Sequence, residues 1–358
     1  MTPKTCGPRI AAGLTAVVLT LVAGCSSGPT TGDSAESQPP EPASSTPTPT
    51  PTPTSAPESA RPETVPTGEP TQDPVALRHY FDRDYSGTRL RLGQVREQTA
   101  SYASYDATYR SEERTVSGVI NVPRGRGPFP AVVLAHGWID RDYYVSGQGM
   151  TRERGYLADR GFITFHIDYR GHAGSDQDPA LVRDMYLGYG VDAVNAVHAL
   201  RGSSLPLDSD RVALMGRSMG GSVVLQALEM APGLVQAGIV YSGQSSLEAE
   251  NYRRWGGPGL DYAAEAVDLY GTPEQNPRFW TGISTRPYFD RITEPALMIH
   301  GTQDEQCPAP WATATHGALE AAGVDAQLEW YQDERHAFGP RFEDSMARSA
   351  SFLRARLS

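Results

Sequence analysis

From about residue 100 onward, short apolar runs recur along the chain, and the stretches between most of them carry the 3.6-residue period of an amphipathic helix. Residues 102–109 and 115–122 alternate like two exposed strands, and the turn-rich PRGRGPFP of 123–130 follows them. Strands are then expected at 131–135 (AVVLA), 162–168 (FITFHID), 211–215 (RVALM), 237–241 (AGIVY), 296–299 (ALMI) and 327–331. Helices are expected near 149–160, 178–200, 222–230, 310–322 and 342–354. Most of the later runs are apolar throughout, the mark of strands covered on both faces. Strands of that kind separated by helices are parallel and joined by crossovers. The pattern therefore predicts an α/β fold, a three-layer, doubly wound and mostly parallel sheet. Residues 243–293 break the rhythm with Tyr252, Trp255, Tyr262, Tyr270, Phe279, Trp280, Tyr288 and Phe289 among glycines and prolines. They read as a short helical insertion beside the mouth of a site.

The first 75 residues do not share this pattern. Lys4 and Arg9 precede an apolar run, 10–22, which ends on Leu21-Val22-Ala23-Gly24-Cys25. The run is short for a membrane span, which needs about 20 apolar residues, and has the form of an export signal. Its end resembles the lipobox of bacterial lipoproteins. That resemblance implies cleavage before Cys25, lipidation of the Cys25 thiol, and a protein held at the outer face of a bacterial membrane. Residues 26–75 are rich in Pro, Ser and Thr, with an unbroken TPTPTPTPT at 46–54. Such a tract populates polyproline II and acts as a stiff spacer. The expected organisation is thus a leader (1–25), a linker (26–75) and one catalytic domain (76–358).

Charge and cysteine content narrow the function. A net charge of −11 argues against nucleic acid as a partner. There are three cysteines. With Cys6 in the leader and Cys25 lipidated, Cys307 stands alone and no internal disulfide is expected. No His beside Cys307 activates it, so it reads as a small buried residue. No His/Asp/Glu grouping has metal-ligand spacing, and no cofactor is implied. Oligomeric state is not legible in the chain.

Gly216-Arg217-Ser218-Met219-Gly220 has the form G-x-S-x-G, between an apolar run and a helical stretch. That is the setting of a nucleophile elbow, in which a tight strand-to-helix turn exposes the serine hydroxyl. Gly216 and Gly220, with Gly221, leave room for close backbone approach. A serine needs a base, and in the α/β-hydrolase fold the chain order is Ser, acid, His. Three histidines follow Ser218. His300 closes a strand, His316 lies within a helical stretch, and His336 sits on the turn after the last strand. His336 is the expected base. Asp304, on the loop after the 296–299 strand, is the expected acid, with Glu305 as the fallback. Two N–H donors should stabilise an oxyanion. The backbone of Met219 is one and that of Trp138 the other, with the Tyr143 or Tyr144 hydroxyl as an alternative. His136 is expected to brace the Trp138 loop.

His136-Gly137, Asp168-Tyr169-Arg170-Gly171, Gly216 to Gly221, His300-Gly301-Thr302-Gln303-Asp304 and His336-Ala337-Phe338 together resemble the prolyl oligopeptidase-like hydrolases, as does 271–277 (GTPEQNP). The resemblance spans about 115–358. It implies an acyl-enzyme on Ser218 and small ester or peptide substrates. Residues 76–115 are too few for the β-propeller that precedes the peptidases of that family. An ungated site suits esters, or amides with open access. The competing expectation is a non-catalytic surface module on a hydrolase scaffold, against which an intact Ser218, Asp304 and His336 argue.

Overall fold

The computed structural model describes residues 75–81, 83–256 and 261–358. The expected leader with Cys25, and all of the expected linker but its last residue, lie outside them. Nine strands form one sheet among the described residues: β1 (Thr88–Gln98), β2 (Tyr102–Ser111), β3 (Arg114–Pro123), β4 (Phe129–Ala135), β5 (Ile163–Ile167), β6 (Leu207–Arg217), β7 (Gly238–Tyr241), β8 (Ala296–Gly301) and β9 (Ala326–Tyr331). Their order is β1-β2-β3-β5-β4-β6-β7-β8-β9. The first three strands and the β3–β5 pair are antiparallel. From β5 to β9 every pairing is parallel.

The apolar runs explain the layers. Successive side chains of a strand point to opposite faces. Val132 and Leu134 of β4 join Ala213, Met215, Ile239, Leu297 and Ile299 in one core, with Leu157 and Leu353 from α1 (Thr151–Ala158) and α8 (Phe342–Arg356). Ala131, Val133 and Ala135 join Val212, Leu214, Val240 and Met298 in the other. That second core is closed by α2 (Gly188–Arg201), α3 (Met219–Met230) and α7 (Ala309–Ala321). Helices on both faces of a mostly parallel sheet make the three-layer, doubly wound α/β fold that the pattern predicts, and it is the fold expected of an α/β-hydrolase.

Two expectations need correction, and one strand has no counterpart among them. The strands at 102–109 and 115–122 exist, but they are not exposed: Tyr109, Val116, Val119 and Ile120 are buried, because β3 is hydrogen-bonded between β2 and β5. The exposed edge is β1, which sequence reading missed. Its arginine-rich TRLRLGQVREQ has almost no buried position, so no core-facing pattern marks it, and its ladder with β2 makes it a strand. The helix expected over 178–200 begins only at Gly188, because Asp178 turns back to accept from Arg114 and Arg170. The insertion is helical, as expected, with α4 (Glu248–Trp255), α5 (Asp261–Tyr270) and α6 (Pro277–Gly282). No helix among the described residues is long and apolar enough to cross a membrane.

Candidate active site

Ser218 occupies the turn between β6 and α3 at φ 56°, ψ −123°. This is a conformation that a residue with a side chain rarely adopts, held here by its surroundings. Ser218 N donates to the Tyr241 carbonyl of β7 at 3.0 Å, and Gly221 N donates to the Ser218 carbonyl at 2.9 Å. The flanking glycines are required by contact. A Cβ on Gly216 would lie 1.9 Å from the Gly220 carbonyl oxygen, and one on Gly220 would lie 1.9 Å from that of Ala135. Ser218 stands at the N-cap of α3 but its side chain does not cap the helix, so the hydroxyl stays available. Met219 opens α3, where the first N–H groups have no partner within the helix and the dipole favours negative charge.

Asp304 and His336 come together from two loops at the C-terminal ends of β8 and β9. His336 Nδ1 lies 2.9 Å from Asp304 Oδ2 and 3.0 Å from Oδ1. A carboxylate only accepts, so Nδ1 carries the proton and Nε2 is left as the basic nitrogen. The Asp304 side chain is fully buried. Oδ1 also accepts from the backbone N–H of Gln306 and Cys307 at 2.9 and 2.8 Å. The two loops fit because Gly301 has no side chain: a Cβ there would sit 2.3 Å from the Glu334 carbonyl oxygen. Glu334, buried, accepts from the backbone N–H of Gly339 at 2.7 Å and of Arg341, which folds the segment carrying His336.

Of the other candidate histidines, His300 also touches the acid, with its Nε2 3.5 Å from Asp304 Oδ2. Glu305 takes the backbone N–H of His336 at 3.3 Å and the Arg335 side chain at 3.2 Å, not the imidazole. His300 is buried, and its Nε2 donates to the Cys307 carbonyl at 2.8 Å; burial lowers its pKa. His316 lies on α7 beside the Ala326 carbonyl and Glu320, at the start of β9 and so at the opposite end of the sheet from Asp304. Cys307 is closer to the chemistry than its sequence context suggested. Its thiol is within hydrogen-bonding reach of the Ser218 hydroxyl. Its sulfur, the Asp304 carboxylate and a His336 ring nitrogen lie within 4.8 Å of one another. Burial, then the Asp304 charge, push the thiol's pKa well up, which keeps it protonated. Among the described residues no hydrogen bond joins Ser218 Oγ to His336; such bonds often tighten only when substrate binds.

The loop after β4 lies against the elbow. A Cβ on Gly137 would be 3.0 Å from Ser218 Cβ and 3.6 Å from its Oγ, so the next residue, Trp138, follows directly beside Ser218. Trp138 is 46% exposed, and its ring meets that of Tyr186 edge-on at 5.6 Å. Tyr144 cannot serve as the alternative oxyanion donor in this geometry, since its hydroxyl donates to Asp168 Oδ1 at 2.7 Å. The Tyr143 side chain is exposed. His136 is buried, and its Nδ1–H donates to the Gly137 carbonyl at 2.7 Å.

His136 is the brace expected for this loop, and Asp168 and Arg170, to which sequence reading assigned no role, add to it. Asp168 is buried and accepts from Ser117 Oγ, Tyr144 OH, Ser146 Oγ and Gly147 N at 2.6–2.9 Å. Arg170 is clamped between Asp192 and Asp178. The Asp-Tyr-Arg-Gly run was the only signal for either.

A model of the prolyl oligopeptidase family matches residues 149–357. Dipeptidyl peptidase 4 of Felis catus is 29% identical over 153 residues, which are 41% of this chain and 19% of that protein. Prolyl endopeptidase FAP of Homo sapiens is 29% identical over 192 residues, 51% of this chain and 23% of that protein. The chain thus spans about a fifth of the length of these relatives. Among solved structures, acetyl xylan esterase 1 from a Thermoanaerobacterium species superimposes with a TM-score of 0.56 at 18% identity, over 74% of this chain and 88% of that one. Pyrococcus horikoshii acylaminoacyl peptidase gives a TM-score of 0.56 at 20% identity, over 73% of this chain and 42% of that one. The family match spans more than half of the chain and includes the elbow, the Asp304 loop and the His336 loop, so the chain belongs to the prolyl oligopeptidase family of α/β-hydrolases.

Proposed function

We propose that Ser218, His336 and Asp304 form the catalytic triad of an acyl hydrolase that works through an acyl-enzyme on Ser218. The observation that carries this reading is the buried Asp304 carboxylate on His336 Nδ1 at 2.9 Å, opposite a strained Ser218. Asp304 fixes the tautomer and supports the imidazolium. Nε2 takes the Ser218 proton as Oγ attacks the substrate carbonyl, then returns it to the leaving group. The backbone N–H groups of Met219 and Trp138 receive the oxyanion, a contribution of about 2.7–4 kcal/mol for one donor.

The substrates are carboxylic esters or accessible peptide-type amides. Esters are the better supported of the two, since the likeness to the acetyl xylan esterase extends over 88% of that chain, against 42% of the acylaminoacyl peptidase. The test is fluorophosphonate labelling of the wild type and of Ser218→Ala, with turnover on p-nitrophenyl esters and peptide anilides. Ser218→Ala should lose both labelling and turnover while its circular dichroism stays unchanged. Labelling that persists in this variant places the nucleophile elsewhere.

We also propose that the enzyme is exported and anchored through a lipidated Cys25, a reading supported by the lipobox-like 21–25 and the Pro/Thr tract behind it. Cys25→Ala should move the protein from the membrane fraction to the soluble one. An unchanged distribution on fractionation would remove the anchor.

A further inference from the structure

Arg217 stands between the strand and the nucleophile, and its side chain does not point to solvent. Nη2 donates to the main-chain carbonyl of His336 at 2.7 Å. Nη1 is paired with Glu153 Oε1 on α1 at 3.2 Å. The two side chains are 11% and 1% exposed, so the pair is largely removed from water. The guanidinium also lies 5.8 Å from the ring centroid of Tyr241, whose carbonyl holds the Ser218 N–H. One residue thus joins the peptide that carries the nucleophile, the peptide that carries the base, and a buried carboxylate on a third element. A second arginine repeats the contact downstream: Arg152 Nη2, also on α1, donates to the Phe338 carbonyl at 2.9 Å.

We propose that Arg217, with Glu153 as its counter-charge, is a positioning residue for the general base. It holds the His336 main chain at a set height over the elbow, so that Nε2 meets Ser218 Oγ when substrate arrives. Asp304 controls the ring's rotation and proton, but not where the loop lies relative to β6. The fork of a guanidinium suits this task, since it can bond a carbonyl and a carboxylate at once, which an ammonium does less well. The proposal rests on the triad reading. It adds that loop placement, and not only the triad's own hydrogen bonds, sets the rate.

Removing one partner of a buried pair strands the other charge, and that alone can unfold a protein. The informative variant is therefore Arg217→Met combined with Glu153→Met, which replaces the pair by apolar side chains of similar length. This double variant should melt near the wild-type temperature. Its kcat on a p-nitrophenyl ester should nevertheless fall about 10- to 100-fold, the scale of a misplacement of about 1 Å, with KM changed by less than about threefold. Its fluorophosphonate labelling rate should fall in parallel, because that reaction also needs the base. Arg217→Lys, which keeps a donor to the His336 carbonyl, should fall between the two. A double variant that is folded and has wild-type kcat overturns the proposal, as does a fall confined to KM. His336→Ala in the same assay separates the two readings. If it remains active the triad itself is wrong; if it is inactive while the double variant is not, only the positioning role fails.

Discussion

Ser218 at φ 56° shows how much of this site is decided by single residues. The turn exists because Gly216 and Gly220 lack the Cβ atoms that would collide with backbone. The same holds across the cleft, where Gly301 lets the Asp304 loop close on the His336 loop. At this scale the proposed triad predicts a sharp split among the histidines and acids. His336→Ala and Asp304→Asn should each lower kcat by about 10⁴-fold or more, and neither should add fully to Ser218→Ala. His316→Ala should leave kcat nearly unchanged, since His316 is bonded to Ala326 and Glu320 at the far end of the sheet. Steady-state kinetics on one ester decides it, and a crippled His316→Ala would overturn the assignment. Cys307 is the residue whose neighbours sequence reading could not see. Nothing in Asp304-Glu305-Gln306-Cys307-Pro308 says that the thiol packs beside Ser218, because the contact is made across two loops.

Among the elements, α3 carries an unusual burden. It starts at the nucleophile and packs against β4, β6 and β7, yet it buries Glu229. Neither carboxylate oxygen of Glu229 has a hydrogen-bond partner among the described residues. Burial raises its pKa well above the ordinary 4.5, with Arg291 opposing and Asp290 adding to the rise. The folded protein therefore holds this proton over a range in which the unfolded chain has released it. Stability from this group is lost as pH rises above about 4.5. Glu229→Gln, which removes the charge and keeps the shape, should stabilise the protein at pH 7.5 by about 1–3 kcal/mol. The gain should shrink as pH falls toward 4.5. Urea midpoints of the two proteins at pH 7.5 and 5 test this, and a gain that grows toward acid would contradict it. The element lesson has the same root. Strands at the sheet centre are legible because both faces are apolar. β1 and the start of α2 are not, since a ladder partner and an arginine clamp decide them.

At the scale of the molecule, the loop beside the nucleophile rests on three neutral histidines. His136 lies 5.6 Å from His166 and 5.2 Å from His172, ring to ring, and all three are buried. Burial is the first cause of lowered pKa in each, taking His172 from 6.5 to about 4. Arg154 faces His166 Nδ1 at 3.2 Å and further disfavours its charge, while Asp168 works the other way on His136. As pH falls below about 6.5 the unfolded chain takes up protons that these rings refuse, down to about 4 for His172. Stability should therefore be full above that window and fall as pH drops through it, by up to about 1.4 kcal/mol per pH unit for each ring. Glu229 acts in the opposite sense, so the window is best read in Glu229→Gln. A urea midpoint for that variant that stays level from pH 7.5 to 5 would show that the rings are charged in the folded state.

By itself the sequence determined the sheet, its three layers and the family, because those depend on local periodicity and on short motifs whose spacing survives without a partner. It also marked Ser218, since an elbow is a local strain that its own glycines permit. It pointed to His336 as the expected base and Asp304 as the expected acid by chain order and by their places on the loops after the last two strands, without knowledge of any distance. Only the tertiary structure brought the Asp304 carboxylate to 2.9 Å from His336, set Cys307 beside Ser218, and closed Arg217 on Glu153 and the His336 carbonyl. Those contacts join residues 32 to 119 positions apart, and no pattern along one segment encodes which loop faces which. Their reason is the parallel sheet, which delivers the ends of separate strands to one edge and leaves the side chains there to find partners in space.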